Sequence, residues 1–135
     1  MSLYSFIKPI LFKLPAEAAH SLALSAMPFY PFYTDLTLYK SLKQQLFGID
    51  FPTPLGMAAG FDKNARVMSY LLKQGFGFVE VGTVTLKPQI GNPKPRLFRL
   101  VEDSAIINYM GLNNNGVEHI LNNIKHSKCN PCNAP

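Results

Sequence analysis

Apolar residues recur along the chain with two different periods, and the change of period divides it. Leu3, Phe6, Ile7, Ile10, Leu11 and Leu14 share the spacing of one continuous helical face. Pro9 lacks an N–H and restricts the residue before it, which favours a helix starting at Pro9 with Leu3 to Lys8 as a looser turn. A second helix is expected from Pro15 or Ala16 to Met27. Pro15 suits a helix start, Glu17 in the first turn favours the positive end of the helix dipole, and Pro28 ends the helix. Ala18, Leu22, Ala26 and Phe29 mark its apolar side. His20, near its start, fits a packed or half-exposed residue better than a catalytic one. Phe29-Tyr30-Pro31-Phe32-Tyr33 then forms an aromatic hinge. Two short amphipathic helices with such a hinge could pack as ordinary core, lie at a membrane surface or form the mouth of an apolar tunnel.

Beyond this module the period shortens. Leu36 to Leu46 reads as a linker with a helical turn or two, and Leu46 to Phe51 as a short strand interrupted by Gly48 and Asp50. After Pro52 and Pro54, Leu55 to Ala59 reads as a buried strand. Gly60, Phe61, Asp62, Lys63 and Asn64 follow as a loop. Small residues there let a flat ligand lie against backbone, and Lys63 adds a positive charge at the rim. An ordinary strand-to-helix turn with a surface lysine accounts for the same residues. Ala65 to Gln74 reads as a helix with Val67, Leu71 and Leu72 on its apolar side and Gly75 placed to cap it. Phe76 to Thr85 follows as an apolar strand broken only by Glu80. Strand, loop, helix and apolar strand make a βαβ unit with a parallel sheet. Thr83 and the Gly60–Lys63 loop then open on one face, where α/β folds place their ligands. Glu80 inside a strand needs a partner, with Lys63, Arg96 and Arg99 as candidates.

Two further stretches are polar. Lys87 to Arg99 is a proline-rich excursion carrying Lys87, Lys94, Arg96 and Arg99, either a solvated loop braced by prolines or an active-site loop. Asn108, Asn113, Asn114 and Asn115 cluster with Gly111 and Gly116, a pattern unusual for helix or strand. An amide offers a donor and an acceptor together, suited to a planar heterocycle or a carboxylate. Val117 to Ile124 starts another helix.

Composition narrows the classes. The 135 residues are 47% hydrophobic, enough for a real core and unlike a disordered chain. The net charge of +5 suits anionic substrates, cofactor phosphate or an anionic membrane surface. No Lys/Arg cluster is dense enough for nucleic acid. Cys129 and Cys132 have the C-x-x-C spacing but lack the strand-to-helix context of a dithiol and the further ligands of a zinc site, so no metal site is assigned. There is no signal-peptide pattern and no apolar stretch long enough to span a bilayer.

Read together, Ala59-Gly60-Phe61-Asp62-Lys63, Glu80-Val81-Gly82-Thr83-Val84-Thr85, Gly91-Asn92-Pro93-Lys94-Pro95-Arg96-Leu97-Phe98-Arg99-Leu100 and Asn108-Tyr109-Met110-Gly111-Leu112-Asn113-Asn114 occur in that order. The ordered set closely resembles dihydroorotate dehydrogenases of class 2, the quinone-dependent, membrane-associated type. The resemblance runs from the first residues to about Lys125. It implies the N-terminal portion of a TIM (β/α)8 barrel preceded by a small two-helix membrane-associating module. The expected division is 1–34 for the module, 35–126 for the first part of the FMN-binding barrel and 127–135 for a divergent tail. It implies oxidation of (S)-dihydroorotate to orotate in pyrimidine biosynthesis, with FMN and a quinone acceptor, at the cytoplasmic face of the inner membrane if the source is bacterial. Ala59, Gly60, Phe61, Asp62, Lys63 and Thr83 fall at cofactor-binding positions. Lys63, Asn108, Tyr109, Met110, Gly111 and Leu112 fall at substrate-binding positions, and His20 and Arg99 at quinone-contacting ones.

Tyr109 departs from the family pattern, which has arginine there; a ring replaces a cation in the substrate loop. Leu112 replaces the usual phenylalanine. A full barrel needs roughly 250 residues. The serine base that the resemblance implies, and the phosphate loop, are expected beyond Pro135, so the isolated chain is expected to be an inactive fragment with one side of the FMN site. The alternative is a non-catalytic membrane-associated protein that partners a complete enzyme. A soluble class 1 relative is disfavoured by the N-terminal helices and His20.

Overall fold

The structure, a computed structural model, describes residues 3–31 and 33–127. Phe32 of the aromatic hinge and the Cys129–Cys132 pair, with the rest of residues 128–135, lie outside the described residues.

Helix α1 (Leu3–Leu11) runs unbroken through Pro9, so the loose turn expected before the proline is helix. Pro9 removes one donor near the helix end. The ladder resumes beyond it, where Phe12 N–H donates to Lys8 O at 2.9 Å. Helix α2 (Ala16–Ala26) follows Pro15 and passes into a 3-10 turn at Met27–Phe29. Its buried side is not the one expected. Ala18, Leu22, Ala26 and Phe29 are exposed, and Leu24 is buried. The inward face carries Glu17, His20, Leu24 and Met27. Two polar residues can lie there because each finds a partner, Arg96 for Glu17 and the Phe61 carbonyl for His20. An apolar pattern is blind to that compensation and selects the opposite face.

A 3-10 segment at Leu36–Leu42 leads to a hairpin of β1 (Gln44–Leu46) and β2 (Ile49–Phe51). The expected single strand from Leu46 to Phe51 is therefore two. Phe47 and Gly48, at φ 54° and 75°, make the two-residue turn between them.

Strands β3 (Gly56–Met57) and β4 (Phe78–Val79) pair in parallel around helix α3 (Met68–Lys73). The expected βαβ unit is present, with much shorter strands than the apolar runs. Gly77 N–H to Leu55 O at 2.8 Å and Glu80 N–H to Met57 O at 2.9 Å extend the ladder at either end. Gly75, at φ 104°, turns the chain out of α3 in the left-handed conformation that glycine tolerates. The core lies between α2 and this unit. Leu24, Val67 and Leu71 are buried together, with Met27, Met57, Phe61, Tyr70, Phe76 and Val79 against them. Each such side chain contributes roughly 1.5–3 kcal/mol when fully buried.

Glu80 is exposed and needs no buried partner. The three cations considered for it bond elsewhere: Lys63 to Gly60 O, Arg96 to Glu17 and Arg99 to Leu14 O. The end of the proline-rich excursion and the start of the asparagine-rich stretch form a second antiparallel hairpin, β5 (Leu97–Leu100) and β6 (Ala105–Asn108). Helix α4 (Val117–His126) closes the described chain, with Ile120 buried.

Candidate active site

The loops beyond β3 and β4 meet at their backbones, where Gly60 N–H donates to Gly82 O at 3.1 Å. They wall a cavity of about 540 Å³. Ala59, Gly60, Phe61, Lys63, Gly82 and Thr83 line it from this side. Gly60 has φ 96°, and a Cβ built on it would enter open space. Backbone is thus presented bare to the cavity at this point. The hairpin and the loop after it supply the facing wall: Leu97, Arg99, Ile106, Asn108, Met110, Gly111, Leu112 and Asn113. Helix α2 closes one end with Ala16, Ala19 and His20.

Asp62 and Tyr109 stand apart from this group. The Asp62 side chain is fully buried, and its two oxygens accept from Arg66 N–H at 2.8 Å and Val67 N–H at 2.7 Å. It organises the loop that carries Lys63 and takes no place on the cavity wall. Tyr109 points away to stack on Phe98, with ring centroids 6.0 Å apart, and its hydroxyl donates to Pro95 O at 2.6 Å. Tyr109 therefore braces the excursion.

Lys63 is half-buried and donates to Gly60 O at 2.6 Å. Burial pushes its pKa down, the nearby Glu17 carboxylate opposes that, and Arg96 adds to it. His20 Nε2–H donates to Phe61 O at 2.8 Å, since a carbonyl can only accept. Its ring packs edge-on to Phe61, with centroids 5.3 Å apart. Burial lowers the His20 pKa, the Phe61 carbonyl opposes the shift, and the Lys63 charge adds to it. The balance favours the neutral ring, with Nδ1 as an acceptor. Arg99 lies on β5, its guanidinium carbon 4.9 Å from the centre of the Phe12 ring, and donates to Leu14 O at 2.8 Å.

The asparagines divide by task. Asn114 is buried and structural: its Oδ1 accepts from Gly116 N–H at 2.8 Å and its Nδ2 donates to Leu112 O at 2.8 Å. Asn115 N–H donates to Asn64 Oδ1 at 2.9 Å, tying this stretch to the β3 loop. Asn113 is different. Its Oδ1 is buried beside the cavity and has no hydrogen-bond partner among the described residues. The clustering of amides drew attention to the stretch, but nothing in it separated Asn113 from its neighbours. The Glu17–Arg96 pair, which docks α2 onto the excursion, was equally hidden, because its partners lie far apart in sequence.

Strand-end loops of a parallel βαβ unit facing a cavity of bare backbone, one lysine and two asparagine amides make up an α/β ligand-binding framework. The chain belongs to the dihydroorotate dehydrogenase family, whose sequence profile matches residues 41–133. It is 54% identical over 124 residues to the dihydroorotate dehydrogenase (quinone) of Novosphingobium aromaticivorans, covering 92% of this chain and 36% of that protein. The protein of the same name from Coxiella burnetii (strain Dugway 5J108-111) is 46% identical over 130 residues, covering 93% of this chain and 38% of the relative. The chain thus spans little more than a third of these relatives. Among solved structures it resembles the DHODH of Eimeria tenella in complex with ferulenol, with TM-score 0.75 and 45% identity over 81% of this chain and 29% of that one. The ligand-free form of the Eimeria protein gives TM-score 0.76, covering 82% of this chain and 31% of that one.

Proposed function

We propose that this chain supplies the first part of the β/α barrel, the cofactor cradle and the substrate loop of a quinone-dependent dihydroorotate dehydrogenase. That enzyme oxidises (S)-dihydroorotate to orotate in pyrimidine synthesis. The observation that carries the reading is convergence: Gly60 and Lys63 from the loop after β3, Thr83 from the loop after β4 and Asn108 from the end of β6 line one cavity with His20 and Arg99.

The residues fit FMN on one side. Gly60 leaves room for a flat ring against the backbone, and the unpartnered Asn113 Oδ1 can accept from a ring N–H. FMN, when bound, supplies the acceptor for the substrate hydride. The chain's own residues bind and orient. Lys63, desolvated by burial, sets a positive charge where a carboxylate or an electron-rich ring would lie. Asn108 and the segment to Leu112 hold the substrate through amide and backbone groups. His20 and Arg99 mark the approach of the quinone from the α1 side.

Helix α1 supports the membrane part of the reading. Phe6 and Ile10 are 65% and 66% exposed, and Lys8 lies 5.2 Å from the centre of the Phe12 ring. An exposed apolar face with cations beside it suits peripheral attachment to an anionic bilayer, in a bacterium at the cytoplasmic face of the inner membrane. No helix among the described residues is long and apolar enough to cross a membrane.

The test is a chimera in which this chain replaces the matching first third of the Novosphingobium relative. It should copurify with FMN and reduce a quinone with dihydroorotate. Lys63→Ala in the chimera should lower kcat/KM on the order of 10²-fold, as expected for losing one aimed charge. A folded, flavin-loaded chimera without turnover, or one indifferent to Lys63→Ala, would overturn the assignment.

A further inference from the structure

Arg96 lies where three segments meet, and it is only 5% exposed. Its Nε and Nη2 donate to the Glu17 carboxylate on α2, at 3.2 and 2.8 Å. Its Nη1 donates to the carbonyls of Ile90 at 2.6 Å, Asn92 at 3.0 Å and Met110 at 3.4 Å. The excursion is laced in turn to the stretch after Asn108. Asn92 N–H donates to Met110 O at 3.0 Å, Asn92 Nδ2 to Tyr109 O at 2.6 Å, and Tyr109 N–H to Arg96 O at 3.1 Å. Gly91 makes the approach possible. At φ 77°, a Cβ on it would collide with Met110 O and stand 2.7 Å from Arg96 Nη1.

A buried guanidinium cannot shed its proton, so its partners must move with it or leave a charge uncompensated. Glu17 lies one helical turn before His20 on the same inward face of α2. We propose that Arg96 is a positioning residue that couples the seating of α2 to the placement of residues 109–112, so that a quinone held against His20 also orders the substrate loop. This rests on the reading of His20 as a quinone contact. The coupling runs through a continuous hydrogen-bonded network from α2 to residues 109–112.

The experiment is amide hydrogen exchange on the full 135-residue chain in detergent micelles, with and without a short-chain ubiquinone. In the wild type the quinone should slow exchange in α2 and, about tenfold, in residues 109–112. In Arg96→Lys the protection of α2 should persist and that of 109–112 should vanish, because an ammonium cannot reproduce the two-sided fork. Asn92→Ala removes the Nδ2 bond to Tyr109 O while the backbone bonds remain, and should weaken the quinone-dependent protection of 109–112, which covers the case in which Arg96→Lys does not fold. A merely structural role would raise exchange in the free protein but leave the quinone-dependent difference at 109–112 intact; that result overturns the coupling. Protection of α2 without protection of 109–112 in the wild type overturns it too. No protection of α2 in the wild type would defeat the quinone-site reading itself, and the coupling with it.

Discussion

Glu17 and His20 share the inward face of α2, and both shifts make folding less favourable in acid. Glu17 has its pKa lowered, first by its hydrogen bonds to Arg96, against the cost of burial. A depressed carboxylate contributes stability that is complete above its unfolded pKa of about 4.3 and is lost as pH falls through the folded value. Glu17→Gln removes that acid limb. It should also cost about 3 kcal/mol at pH 7, because Arg96 is left with an uncompensated buried charge; urea unfolding across pH measures both. His20 acts one range higher. Its folded pKa lies below the ordinary 6.5, so the unfolded chain binds its proton first and stability falls as pH drops through that value. His20→Gln can still donate to the Phe61 carbonyl and should flatten the stability profile below about pH 6.5. A slope that survives the substitution would place the titration elsewhere. Placement on the cavity wall was legible where backbone exposure or charge drew attention, as at Gly60 and Lys63. The side-chain placement of Asp62 and Tyr109 was not legible. Both belong to motifs that suggest ligand contact, yet loop bracing claims the side chain of each.

At the scale of elements, the βαβ unit could be read because a buried parallel strand needs only an uninterrupted apolar run and a glycine exit. The hairpin of β5 and β6 was missed. Its first strand follows three prolines in the excursion and its second runs into the asparagines, so composition on either side argued for loop. The helical module divides in a way no periodicity showed. Helix α2 is core on one face, through Leu24, whereas α1 keeps Tyr4, Phe6, Ile7 and Ile10 exposed. Contacts from Arg99 to Leu14 O and the Phe12 ring tie the chain after α1 to β5. If α1 is the membrane-binding element, Ile10→Ser should reduce partitioning onto anionic vesicles about tenfold, from the loss of one buried side chain. Leu22→Ser on the exposed side of α2 should change it less than twofold if α2 is held back against the core. Vesicle cosedimentation compares the two, and equal losses would mean that both helices enter the interface.

The whole molecule has too small a core for the apolar surface it carries. Leu24, Val67 and Leu71 form the buried cluster, while Phe47 is 99% exposed and Ile90 is 90% exposed. Strands β3 and β4 pair only with each other among the described residues, which leaves an outer edge on each. Parallel sheets normally have both faces and their neighbouring strands covered, and an open edge beside apolar side chains is a template for association. The net charge of +5 opposes that association only weakly at physiological salt, where the screening length is about 8 Å. The chain alone should therefore self-associate in detergent-free buffer at micromolar concentration. Light scattering coupled to size exclusion should show species well above the 15.0 kDa monomer, shifting toward it when a mild detergent is added. Raising salt should enlarge the assemblies, because apolar contact drives them and charge resists them. A monodisperse monomer with a cooperative thermal transition in plain buffer would show that the exposed strands and apolar side chains are compatible with an independent fold.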